Sequence, residues 1–184
     1  MPRKLKIASI HCGSNKAPLI DEIVSKNGYT VDCIEMNNLL YAKVDAYDGI
    51  IISGAPILLS KEGVDGYLPY FKNVRSFTKP ILGICFGHQM LGALEDGKIE
   101  LIEEDRDWQS ITFENHPLFD NLTSPVDMTE DHCEVLIPGE SFQIIAQSST
   151  CKNEAMVHSE LPRFGVQFHP ETSEENGEQL LRNF

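Results

Sequence analysis

Apolar residues crowd the end of the segment Lys4 to Ile10, where Ile7, Ala8 and Ile10 leave little room for alternation. A short run of this kind predicts a strand buried on both faces, as in parallel sheets. From Pro18 to Lys26 the spacing changes, with Leu19, Ile20, Ile23 and Val24 on one face of a helix and Gly28 fitting its C-terminal cap. Thr30 to Met36 predicts a second strand and Gly49 to Ser53 a third. Val64 to Phe77 predicts a helix, entered through the glycine-rich Gly63-Val64-Asp65-Gly66. Pro80 to Ile84 predicts a fourth strand, with a helix over Gly87 to Leu94 behind it. Strands and helices alternating in this way predict an α/β fold, an open, mostly parallel sheet flanked by helices on both faces. Active sites in such sheets lie beyond the carboxyl ends of the strands.

Past Gly97 short β-like runs dominate: Lys98 to Ile102, Gln109 to Phe113, Phe142 to Ala146 and Ala155 to His158. Pro117, Pro125 and Pro138-Gly139 separate them as turns. This half predicts an antiparallel extension that returns the chain to the last sheet strand, within Phe164 to Phe168. A helix over Glu174 to Phe184 closes the fold. No repeat, low-complexity tract or linker interrupts the pattern, so residues 1–184 are expected to form a single domain.

Composition narrows the function classes. The net charge of −13 argues against nucleic acid or an anionic membrane as partner, since both call for basic patches. No apolar run approaches the roughly 20 residues of a membrane span. Met1 to Lys6 is basic but leads into a short strand rather than a signal-peptide core. Cysteines stand at 12, 33, 85, 133 and 151, an odd number with no CxxC pair. Reduced thiols in a cytoplasmic protein fit better than a disulfide framework or a zinc site. The six histidines do not cluster at ligand spacing either, so no metal is expected.

One segment carries chemistry on its face. Gly83-Ile84-Cys85-Phe86-Gly87 follows the buried run Pro80-Ile81-Leu82. Gly-x-Cys-x-Gly after a strand is the thiol form of a nucleophile elbow, where a sharp strand-to-helix turn presents the central side chain. The helix N-terminus behind it favours the thiolate. Near the C-terminus, Phe164-Gly165-Val166-Gln167-Phe168-His169-Pro170-Glu171 places a histidine at the end of a buried strand and a carboxylate two residues on. A nucleophilic thiol needs a base, and the base needs an orienting partner, so Cys85, His169 and Glu171 supply a full triad. The bland alternatives are a buried structural cysteine, a core histidine and a first-turn acid.

These segments resemble the two signatures of triad-type, class I glutamine amidotransferases. Gly83 to Gln89 matches the first and Gly165 to Glu171 the second. Ile51-Ile52-Ser53-Gly54-Ala55-Pro56 resembles the family's oxyanion strand, usually Ser-Gly-Gly-Pro. Ala146 to Phe168 and the closing Gly177 to Phe184 are similar to the stand-alone glutaminase subunit of two-subunit GMP synthetases. The resemblance implies a flavodoxin-like sheet and hydrolysis of glutamine to glutamate, with the ammonia passed to a synthetase. It assigns the backbone N–H groups of Gly54 and Phe86 to the oxyanion hole. It gives Gln89 and His132 to the bound glutamine and leaves His88 a structural role.

The chain departs from the family in four places. His11-Cys12-Gly13-Ser14 stands where Asp-x-Gly-x-Gln is usual, and Ala55 replaces the second oxyanion glycine. Glu130-Asp131-His132-Cys133-Glu134 stands in place of Ser-His-x-Asp, with His132 one residue out of register. Thr172-Ser173-Glu174-Glu175 lacks the further histidine of the GMP type. There is no phosphate-binding Gly-x-x-x-x-Gly-Lys motif. The resemblance therefore implies no cofactor in this chain, with ATP and magnesium on a separate ATP-pyrophosphatase partner. That partner would dock around residues 97–140 and the Thr172 to Glu178 turn. Three other readings stay open: an amidotransferase of anthranilate or aminodeoxychorismate synthesis, a free-standing hydrolase of γ-glutamyl compounds, and a non-catalytic protein on the same fold.

Overall fold

The computed structural model describes residues 3–184; Met1 and Pro2, the start of the basic lead, lie outside them. The first half holds strands β1 (Lys6–His11), β2 (Thr30–Glu35), β3 (Gly49–Ile52) and β4 (Ile81–Ile84). Between and after them run helices α1 (Ala17–Lys26), α2 (Leu59–Glu62), α3 (Lys72–Arg75) and α4 (Phe86–Ala93). The second half holds β5 (Lys98–Asp105), β6 (Trp108–Phe113), β7 (Val126–Thr129) and β8 (His132–Ile137). It continues with β9 (Phe142–Gln147), β10 (Ala155–His158) and β11 (Arg163–Val166), then the closing helix α5 (Glu174–Asn183).

Nine strands form one sheet in the order β2-β1-β3-β4-β11-β10-β9-β6-β7. The strands from β2 through β11 in that order pair parallel. Those from β10 outward pair antiparallel, which is the predicted extension. β5 and β8 make a separate antiparallel pair. The parallel strands are apolar on both faces because both are covered. Ile7, Ile51 and Leu82 pack toward Ile20 and Val24 of α1 and Leu180 of α5. Ile10, Ile50 and Ile52 pack toward Phe71, Phe86 and Met90 on the other side.

One expectation fails. Val64 to Phe77 is not a continuous helix but a 3₁₀ turn over Leu68–Phe71 followed by the single turn of α3. Its buried residues Phe71, Val74 and Phe77 recur every third position. That is the 3₁₀ period rather than the α period, and Pro69 removes a backbone donor at the start. The short α2, the 3₁₀ turns Met36–Tyr41 and Val44–Ala46, and strands β7 and β8 are additions to the predicted elements. β5 runs three residues past the predicted Ile102, to Asp105.

Register fixes the site. Val166 of β11 pairs with Ile84 of β4, and the Cys85 N–H donates to the Val166 carbonyl at 2.9 Å. The residues that follow these two parallel, interior strands therefore leave the sheet at the same carboxyl end.

Candidate active site

Cys85 lies between β4 and α4 with φ 51° and ψ −105°, a backbone region that non-glycine residues avoid. Strain of this kind persists only where the surroundings hold it. Here the flanking glycines are demanded by close packing. A Cβ on Gly83 would come 2.4 Å from the Gly87 carbonyl oxygen, and one on Gly87 would come 2.3 Å from that of Ile52. The Cys85 carbonyl accepts from the Gln89 N–H at 3.0 Å and so starts the helix.

His169 follows β11 and its backbone is clamped. Its N–H donates to the Thr129 carbonyl at 2.8 Å, and its carbonyl accepts from Ser173 Oγ at 2.6 Å and Thr129 Oγ1 at 3.1 Å. Ser173 Oγ in turn accepts from the Thr129 N–H at 2.9 Å. The imidazole Nδ1 stands 2.7 Å from Glu171 Oε1, whose side chain is wholly buried. Burial by itself would lower the pKa of His169. The Cys85 sulfur and the Glu171 carboxylate, both in charge and hydrogen-bond contact with the ring, outweigh burial and push it up to about 10. Cys85, His169 and Glu171 are thus brought together across the sheet.

Gly54 closes the constellation. A Cβ there would meet His169 Cε1 at 3.1 Å and Cys85 Cβ at 3.7 Å, so its backbone lies directly against both. Ser53 holds that backbone in place. Its Oγ accepts from the Cys12 N–H and donates to the Gly54 carbonyl, both at 2.9 Å. Phe86 is the first residue of α4, where a backbone N–H has no partner within the helix. Its ring is fixed edge-on to Tyr67 at 5.9 Å.

A cleft of ≈ 610 Å³ opens over Cys85, Phe86 and His169. Gln89 lines it, with Nε2 3.3 Å from both the Glu134 carbonyl and Gln167 Oε1. His132 lines it too, its Nδ1–H donating to the Glu134 carbonyl at 2.9 Å. Burial lowers its pKa, and Nε2 faces Glu130 Oε2 at 3.2 Å. His88 points away from the cleft into the core against Gly165, and burial brings its pKa down to about 3.

Sequence reasoning did not find the clamp of Thr129 and Ser173, which sets the His169 backbone. It also missed the mouth of the cleft, where Lys16 Nζ meets Asp131 Oδ2 at 2.6 Å and Arg106 Nε lies 3.3 Å from Asp131 Oδ1. Glu134 has a role that its place in an atypical segment concealed. Its two carboxylate oxygens accept the Leu59 and Ser60 N–H groups at 3.0 and 2.7 Å, capping α2 against the cleft wall.

Residues 9–184 match the family model described as glutamine amidotransferase class-I. The chain belongs to the class I glutamine amidotransferases. It is 38% identical over 151 residues to the glutamine-hydrolyzing GMP synthase subunit of Pyrococcus abyssi, across 74% of this chain and 73% of that one. A relative of the same name from Pyrococcus furiosus is 38% identical over 141 residues, with the same coverage. In fold, it superposes on a putative GMP synthase subunit of Thermoplasma acidophilum with a TM-score of 0.85 at 22% identity, covering 100% of this chain and 93% of the other. The family is enzymatic, and the mixed sheet with its parallel core and flanking helices is its fold. No helix among the described residues is long and apolar enough to cross a membrane.

Proposed function

We propose that this amidotransferase domain, spanning residues 1–184, hydrolyses glutamine through Cys85, His169 and Glu171. The Cys85 thiolate attacks the side-chain amide carbon. The carbonyl π electrons move onto oxygen, where the Gly54 and Phe86 N–H groups stabilise the charge. As the tetrahedral intermediate collapses, the C–N bond breaks and His169 protonates the departing nitrogen, which leaves as ammonia. A thioester remains. Water attacks it, giving a proton to His169, and a second collapse frees glutamate and returns the thiolate. Glu171 keeps the imidazole oriented and its cation stabilised throughout. Gln89 and His132, at the wall of the cleft, hold the glutamine. The chain's own part of the reaction needs no cofactor.

The observation that carries this reading is the His169–Glu171 contact of 2.7 Å beside a cysteine held at positive φ. The relatives named as glutamine-hydrolyzing GMP synthase subunits support ammonia delivery to a separate synthetase chain. We propose that this chain uses ATP to make GMP from XMP, in the cytoplasm. The test is glutamine hydrolysis by this protein alone and with an ATP-pyrophosphatase partner, with Cys85→Ala as control. Activity that rises strongly with the partner and vanishes in the variant supports the reading; activity that survives Cys85→Ala overturns the triad. A second reading, a free-standing γ-glutamyl hydrolase, is favoured by the size of the cleft and the charged Lys16, Arg106 and Asp131 at its mouth. Full turnover without any partner, with a γ-glutamyl conjugate preferred over glutamine, would select it.

A further inference from the structure

His11, Asp21 and Cys33 lie far apart in sequence, and the fold brings them to one place at the β2 edge of the sheet. Parallel pairing sets Ser9 opposite Cys33 and His11 opposite Glu35. In a strand pair of this kind residues two apart share a face. Ser9, His11, Cys33 and Glu35 therefore share the face that α1 covers, the one on which Ile7 packs against Ile20 and Val24. Asp21 reaches the same spot from α1, with Oδ2 2.9 Å from His11 Nε2. The ligating atoms of His11, Asp21 and Cys33 all lie within 4.8 Å of one another.

We propose that His11, Asp21 and Cys33 form a site for a divalent transition metal of the zinc class, separate from the Cys85 centre. A tetrahedral ion with one sulfur, one nitrogen and one oxygen ligand sets those atoms roughly 3.3–3.6 Å apart. With all three ligating atoms within 4.8 Å of one another, the cluster would need to contract by about 1.5 Å at most to reach that spacing. Imidazole, thiolate and carboxylate together suit zinc, cobalt or nickel rather than magnesium or calcium.

Two further observations point to a cation. Asp21 Oδ1 is buried without a hydrogen-bond partner, and so is the hydroxyl of Ser9 beside the cluster. A bound cation would answer the unpartnered Asp21 oxygen and take the Cys33 thiolate as ligand. The β1–α1 loop, whose residues Gly13 to Lys16 line the catalytic cleft, runs between His11 and Asp21. A metal joining the two would brace that loop.

The test is cobalt titration of the Cys85→Ala protein, in which the catalytic thiol cannot compete. One equivalent should give a thiolate-to-cobalt charge-transfer band that zinc displaces, and zinc should raise the melting temperature. Cys33→Ser in that background should abolish the band and the thermal shift; His11→Ala should weaken binding by about tenfold or more. Cys33 is exposed, so its serine variant tests the ligand without disturbing the core. No band at one equivalent, or a band that survives Cys33→Ser or instead follows Cys133→Ser, overturns the proposal.

Discussion

At the level of single residues, the site rests on how His169 is charged. Its pKa is pushed up to about 10 because Cys85 and Glu171 outweigh burial. In the proposed mechanism the protonated ring gives ammonia its proton, so the alkaline limb of the glutaminase profile is expected to follow loss of that proton. Glu171→Gln removes one of the groups that raise the pKa. That limb is expected to move to lower pH, and kcat to fall about a hundredfold or more with KM little changed. A pH–rate profile of the two proteins checks it, and an unmoved limb would exclude the role given to Glu171. Gly54→Ala tests the geometry rather than the charge. The new Cβ would press on His169 Cε1 at 3.1 Å, and about a tenfold loss of kcat is expected in a protein that melts normally. The meeting of Cys85, His169 and Glu171 was legible because each sits in a local pattern, the glycine-flanked cysteine and the histidine two residues before its acid. Thr129 and Ser173 were not legible. They act by hydrogen bonds to the His169 main chain, and no spacing in the sequence announces such contacts.

Elements were legible where hydropathy and burial agree, and hidden where they do not. β1, β3 and β4 are apolar because both faces are covered, and the pattern states this directly. In β8 the alternation is inverted. His132, Glu134 and Leu136 face inward while Cys133, Val135 and Ile137 are more exposed, because the inward polar groups serve the cleft and cap α2. A reader of hydropathy sees no strand there. The stretch from Val64 to Phe77 misleads in another way, since a three-residue apolar period in a short window passes for a helix. Packing of β4 and α4 against β3 yields a prediction at this scale. Gly87→Ala would drive a methyl into the Ile52 backbone, with 2.3 Å to the carbonyl oxygen. A destabilisation of about 3 kcal/mol is expected by urea denaturation. Recovery of wild-type stability would mean that β3 and α4 can separate freely, against a tight elbow at Cys85.

Over the whole molecule, the parallel half was readable from alternating strands and helices. The antiparallel half was readable only as an extension, because its strands carry buried charge and polar positions that break the hydropathy pattern. That buried charge has a consequence for stability. Where β5 and β8 meet the main sheet, Glu130 and Glu154 face one another beside Asp105 and His132, with Ser148 Oγ donating to Glu154 Oε1 at 2.6 Å. Burial pushes Glu130 up to about 8, and burial with the neighbouring Glu130 pushes Glu154 up to about 9. Both acids hold protons in the native state that they release in the unfolded chain, whose carboxyl pKa is near 4.5. The native state then binds more protons, so stability is full below that value and falls as pH rises through 8 and 9. His169, raised to about 10 from 6.5, has the same sign over its own window. His88, lowered to about 3, has the opposite sign and costs stability as pH falls below 6.5. From these four groups stability should peak near pH 4.5, where the two acids begin to differ between the folded and unfolded states, and decline from there toward alkaline pH by up to about 1.4 kcal/mol per pH unit for each net proton involved. Glu130→Gln keeps a neutral, hydrogen-bonding side chain and removes one of those protons. Its alkaline decline should be shallower, with a net gain of about 1–2 kcal/mol near pH 8. Urea denaturation from about pH 5 to about pH 9 measures both curves. A wild-type profile without an alkaline decline, or one as steep in Glu130→Gln as in the parent, would show that these carboxyls already ionise in the folded protein.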